Sequence, residues 1–96
     1  MIVEQAMLHV RSGEDAAFRV ALEQARPLIA SSPGFRRMAV HPAAERDGLY
    51  LLLIEWDSIA DHRDGFRQSE RYARWRDLLH HHYDPMPIVT YFGDAL

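Results

Sequence analysis

The chain has 96 residues, a net charge of −3, 48% apolar and 26% charged residues, which is one domain of ordinary water-facing composition. It contains no cysteine, and all 11 basic residues are arginine, which excludes disulfides, thiolate nucleophiles, Cys-ligated metal sites and lysine Schiff-base chemistry. The acidic balance offers no field for nucleic acid or an anionic membrane, no run reaches the ~18 apolar residues of a membrane span, and the start Met-Ile-Val-Glu-Gln lacks the pattern of a signal peptide, so a cytoplasmic protein is expected.

Residues 2–10 read as a strand. Ile2, Glu4, Ala6, Leu8 and Val10 share one face, and Val3, Gln5, Met7 and His9 share the other, because side chains alternate along a strand. Apolar residues on both sides imply that both faces are covered. Ser12-Gly13-Glu14-Asp15 reads as a helix start, with Ser12 as the cap and two acids at the positive end of the dipole. Phe18, Ala21, Leu22, Ala25, Leu28 and Ile29 then form an apolar helical stripe, which Pro27 is expected to kink before Ser32-Pro33-Gly34 ends it.

Phe35 to Pro42 is a second strand, Asp47-Gly48 a hairpin signal, and Leu49 to Trp56 a third strand whose unalternating apolar run fits cover on both faces. Asp57-Ser58 opens a second helical region, with Ser58 and Asp61 at capping-box spacing and Ile59, His62 and Phe66 on one face. Ser69 reads as a second cap, with a break near Gln68. Tyr72, Trp75 and Leu79 continue the apolar face, and Ile88 to Phe92 is a last strand.

The order β-α-β-β-α-β is that of an α+β ferredoxin-like fold, with an antiparallel sheet and both helices on one side of it. The other sheet face would be bare in a monomer, although its strands are apolar there. A homodimer paired through its sheet faces is therefore expected, with a pocket between sheet and helices.

Ser32-Pro33-Gly34-Phe35, Glu55-Trp56-Asp57-Ser58 and the histidine, aromatic and serine pattern of His62 to Tyr72 resemble the antibiotic biosynthesis monooxygenase family, within the dimeric α+β barrel group. The resemblance spans nearly the whole chain. It implies several possible activities: oxidation of aromatic polyketides or quinols by dioxygen without metal or flavin, haem cleavage, or isomerisation of a phosphorylated sugar. Haem-cleaving members use an asparagine in the first strand and a tryptophan and a histidine in the second helical region. Those positions fall here on Ala6 and near Phe66 and Arg76, and the chain has no asparagine, so haem cleavage is disfavoured.

His62 is the candidate base, on an inward face and with an ordinary pKa suited to taking a phenolic proton; a hydrogen-bonded core histidine is the structural alternative. Tyr50, Phe66, Tyr72 and Trp75 are candidate contacts for a small aromatic or quinone-like ligand, or core packing. Trp56 reads as an architectural anchor. Gln5 and Met7 are binding candidates if their strand face lines the pocket, and barrel filler if it meets a partner. His80-His81-His82 suggests a metal, but neighbouring helical residues point about 100° apart, so a solvated helix end is expected and no metal is assigned. Arg63, Arg67, Arg71 and Arg74 alternate with acids, which fits ion pairs on a solvated face. The leading expectation is a cofactor-free monooxygenase acting on a phenolic, polyketide or quinol substrate. A non-catalytic binding or stress-related dimer and an isomerase of a small oxygenated metabolite are the alternatives.

Overall fold

The computed structural model describes residues 1–96. Alternation in β1 (Ile2–His9) sends Glu4, Ala6 and Leu8 inward, where all three are buried. The second strand, β2 (Phe35–Pro42), and the third, β3 (Leu49–Trp56), have the expected bounds. Tyr50, Leu52, Ile54 and Trp56 alternate inward along β3 and are buried. With the short β4 (Thr90–Phe92) they form one four-stranded antiparallel sheet in the order β2-β3-β1-β4. Helices α1 (Asp15–Ala30) and α2 (Glu70–Leu79) supply Phe18, Ala25, Ile29, Trp75 and Leu79 to the core against the inner face. The fold is thus the α+β ferredoxin-like arrangement expected from the element order.

The helices depart from the sequence reading in two places. Ser12 does not cap α1. Gly13 takes a positive φ of 82° and the Glu14 N–H closes a turn onto the Arg11 carbonyl at 3.0 Å, so the helix starts at Asp15. At its other end α1 runs through Pro27 to Ala30 and stops before Ser32-Pro33-Gly34, as expected. The second helical region is not uniformly α-helical. Ser58 Oγ accepts from the Asp61 N–H at 3.2 Å and donates to its carboxylate at 2.9 Å. A π-helical turn (Asp61–Phe66) follows, with His62 and Phe66 buried. The chain then breaks, as expected, and Ser69 caps α2 by accepting from Tyr72 N–H at 3.3 Å.

The last strand is shorter than expected. Pro85 and Pro87 have no N–H to give a sheet ladder, and residues 85–89 lie in no helix or strand, with Ile88 85% exposed. On the outer face, Leu51 pairs with Met7, Leu53 lies between Ala39 and Gln5, and Phe92 pairs with Val3, so apolar side chains are spread over a sheet face that no helix covers. No helix is long and apolar enough to cross a membrane.

Gly34 holds the join between α1 and β2. Its φ is 81°, a Cβ there would run into the Asp61 carboxyl, and its carbonyl accepts from the Asp57 N–H at 2.8 Å. Gly13 has the same backbone sign but open space around it. Gly13→Ala should therefore cost only the left-handed strain of about 1–2 kcal/mol. Gly34→Ala should cost about 1–3 kcal/mol more, from the steric clash, when the two are compared by urea unfolding.

Candidate active site

A cavity of about 60 Å³ lies between the inner sheet face and the helices. Phe66, Tyr72 and Trp75 form one wall, with Tyr72 and Trp75 each standing edge-on to Phe66 at 87°, 5.6 and 5.8 Å between ring centres. Glu4, His62 and Arg67 make its polar end, and Met86, Pro87 and Val89 form its rim.

Glu4 is the centre of the polar end. Its strand position places it on the same face as Ala6 and Leu8, so the fold buries a carboxyl with the core, leaving it 4% exposed. Trp56 Nε1–H donates to Glu4 Oε1 at 2.9 Å, and His62 Nε2 lies 3.4 Å from the same oxygen. On the other side of the imidazole, Nδ1 and the Tyr91 hydroxyl are hydrogen-bonded at 2.6 Å. Tyr91 faces inward because it is paired opposite Glu4 across β1 and β4. Trp56, tilted at 36° over both His62 and Phe66, fixes the imidazole against the aromatic wall.

Burial governs the charges. It lifts the Glu4 carboxyl to about 7, against the opposing pull of the Trp56 N–H and the Arg67 charge. Burial, assisted by Arg67, lowers His62 to about 4. Tyr91 is raised by burial and by the nearby Glu4 carboxylate, so it stays a phenol. Near pH 6 the pair is a neutral acid beside a neutral imidazole, and Glu4 exchanges its proton around neutrality.

His62, Phe66, Tyr72 and Trp75 are thus brought together at one cavity. The structure separates Tyr50, Gln5 and Met7 from them. Tyr50 packs on Phe18 at 4.9 Å under the start of α1, where its hydroxyl donates to Asp15 at 2.7 Å and accepts from Arg19 Nε at 3.3 Å. Gln5 and Met7 are on the outer sheet face, because odd positions of β1 point away from the helices. The histidine run is not a solvated end: His82 is buried with Nδ1 2.9 Å from Glu14 Oε1, and His80 lines the cavity. Glu4 and Tyr91 are not singled out by the sequence, and Arg67, expected with the other arginines on a solvated face, lines the cavity instead. For Glu4 the signal was there, a carboxylate in register with Ala6 and Leu8. For Tyr91 only the strand pairing supplies it.

The two displaced pKa values act oppositely on stability. A carboxyl raised from 4.5 to about 7 favours folding at low pH and loses that contribution as pH rises through the interval. A histidine lowered from 6.5 to about 4 loses its contribution as pH falls through that interval. In the wild type the two slopes largely cancel between pH 4.5 and 6.5. Glu4→Gln should leave the histidine slope alone, with stability rising by about 3 kcal/mol from pH 4 to 6.5 at roughly 1.4 kcal/mol per pH unit. His62→Gln should show the reverse, a fall of similar size from pH 4.5 to 7. Urea unfolding across pH measures both.

Residues 1–78 match the profile of the antibiotic biosynthesis monooxygenase family. An uncharacterised Bacillus subtilis protein, YczJ, is 40% identical over 95 residues, covering 99% of this chain and all of that protein. A crystal structure of an antibiotic biosynthesis monooxygenase candidate from Bordetella bronchiseptica superposes with a TM-score of 0.94 at 32% identity, covering 99% of this chain and 97% of its own. SnoaB from Streptomyces nogalater, described as a cofactor-independent oxygenase, shares the fold at a TM-score of 0.85 and 16% identity, with 99% and 93% of the two chains covered. The matched profile and the 32% identical Bordetella structure place this chain in the antibiotic biosynthesis monooxygenase family.

Proposed function

We propose that the cavity deprotonates a small phenolic or quinol substrate and presents the resulting anion to dioxygen, as a cofactor-independent monooxygenase. The observation that carries this reading is the buried carboxyl–imidazole pair at one end of an aromatic-walled cavity. The walls hold a flat ring, Glu4 and His62 remove its hydroxyl proton, and the Arg67 charge favours the phenolate. One phenol and one dioxygen then balance to a para-quinone and water. A ring C–H and the C–OH both become C=O, and the substrate itself supplies the four electrons. Membership of the family and the likeness to SnoaB support the reaction class.

The cavity volume argues for a single ring. At about 60 Å³ it is smaller than the ~150 Å³ cavity that holds a benzene ring, so a single ring enters only as the rim at Met86 and Pro87 moves out, and a polycyclic substrate would need a larger movement. The second reading is an isomerase, favoured by the same pair, since a neutral acid beside a neutral base can deliver and accept a proton without oxygen. A binding dimer without chemistry is the remaining reading.

In this reading two copies pair through their outer sheet faces, which gives Met7, Leu51, Leu53 and Phe92 a cover that one chain lacks. Leu51→Glu, in the middle of the sheet, should convert a dimer to a monomer in sedimentation velocity.

Oxygen uptake decides among the readings. With no metal or flavin added, the protein should consume dioxygen with monocyclic phenols and hydroquinones faster than with polycyclic ones. His62→Ala should lower the rate by about 100-fold or more. Anaerobic turnover of a small oxygenated ligand would favour the isomerase, and saturable binding with no turnover would favour the binding dimer.

A further inference from the structure

We propose that Glu4 is the group that takes the substrate's proton, and that His62 and Tyr91 behind it form the route by which that proton leaves the cavity. The inference rests on the cavity being where a phenolic hydroxyl ionises, and not on dioxygen being the oxidant. It replaces His62 as the base that meets substrate.

The geometry of His62 argues first. Nδ1 is hydrogen-bonded to the Tyr91 hydroxyl at 2.6 Å, and Nε2 lies 3.4 Å from Glu4 Oε1. A ligand that reached Nε2 would have to share it with the Glu4 carboxyl. Glu4 differs: Trp56 and His62 both address Oε1, and Oε2 has no partner within the chain, while Glu4 itself lines the cavity. The titratable and charged groups facing Glu4 are His62 and Arg67 beside the π-helical turn, Tyr91 on β4, and Tyr72, His80 and Tyr83 across the cavity. Only His62 is placed to receive a proton from the carboxyl.

The route then runs outward. Tyr91 is half-buried on the short edge strand, within reach of the charges of exposed Arg63 and Asp64. A substrate O–H gives its proton to the Glu4 carboxylate. The carboxyl then turns so that the protonated oxygen meets His62 and the other takes the Trp56 N–H; it passes its proton to His62 Nε2, Nδ1–H passes one to the Tyr91 oxygen, and the Tyr91 O–H passes one to water. The net change is one proton moved from substrate to solvent, with the imidazole left as its other neutral tautomer and Glu4 ionised again.

The test uses 4-nitrophenol under nitrogen, whose phenolate is read by its visible absorbance, with proton release followed by a pH indicator in stopped flow. Glu4→Gln keeps an oxygen for the Trp56 N–H, and Tyr91→Phe keeps the ring, so both variants preserve the packing. The wild type should bind the probe as phenolate. Glu4→Gln should bind it as neutral phenol, with the phenolate fraction down at least tenfold. His62→Gln and Tyr91→Phe should still ionise the probe but release its proton to solvent at least tenfold more slowly. Unchanged ionisation in Glu4→Gln, or wild-type proton release in Tyr91→Phe, would overturn the inference. Ionisation at Glu4 with no oxygen uptake in air would support it while removing the oxygenase reading.

Discussion

The arrangement depends on one constraint: a carboxyl held on the inner face of a two-sided sheet. Strand geometry gives position 4 no choice, since turning it outward would turn Ala6 and Leu8 outward with it. A lone buried carboxylate is too costly to keep ionised at low dielectric, so the neighbours of Glu4 are those that can tolerate or share a proton. Trp56 donates an N–H, His62 brings an imidazole, and Tyr91 holds that imidazole from behind. The aromatic packing around them serves two ends at once, excluding water from the pair and shaping the cavity wall.

Local wrapping of the chain is what delivers these groups. The π-helical turn places His62 and Phe66 inward together and closes with the Arg67 N–H on the His62 carbonyl at 3.0 Å. Such turns carry one residue more per turn than an α-helix and are frequent at functional sites. The Ser69 cap then restarts the helix so that Tyr72 and Trp75 meet Phe66 at right angles. Glu4 comes from one end of the chain and Tyr91 from the other, and the β1–β4 pairing alone brings them opposite one another.

How legible this was from the sequence follows the range of the forces involved. The bounds of β2 and β3, the break before Ser69 and the fold itself were readable, because caps, turns and periodicity are local signals. The clustering of His62 with Phe66, Tyr72 and Trp75 was readable for the same reason, as all four lie on one helical region. Tyr50 was grouped with them by chemistry alone, and the strand carries it to the other end of the sheet. Parity divides β1 into two faces but does not say which one meets the helices, so Gln5 and Met7 are taken as candidates and Glu4 is passed over. The partners of a buried acid are a tertiary property, and the pairing of residue 4 with residue 91 has no trace in either neighbourhood.

The outer face and the cavity rim meet at residues 85–89. This stretch has Met86 and Pro87 against the inner cavity and Pro85 and Ile88 against the outer hollow beside Gln5 and Met7. It is bracketed by the Asp84 N–H bond to the His9 carbonyl at 3.0 Å and by the Thr90–Gln5 pairing, and lies in no sheet or helix between them. The part of the molecule that sets how large a ligand enters is therefore separable from the part that handles the proton. Insertions or substitutions in these few residues can widen or close the chamber while leaving the sheet, the aromatic wall and the acid–base pair intact. The buried acid thus sits in a strand paired on both sides, while the cavity rim sits in a segment with no ladder to hold it.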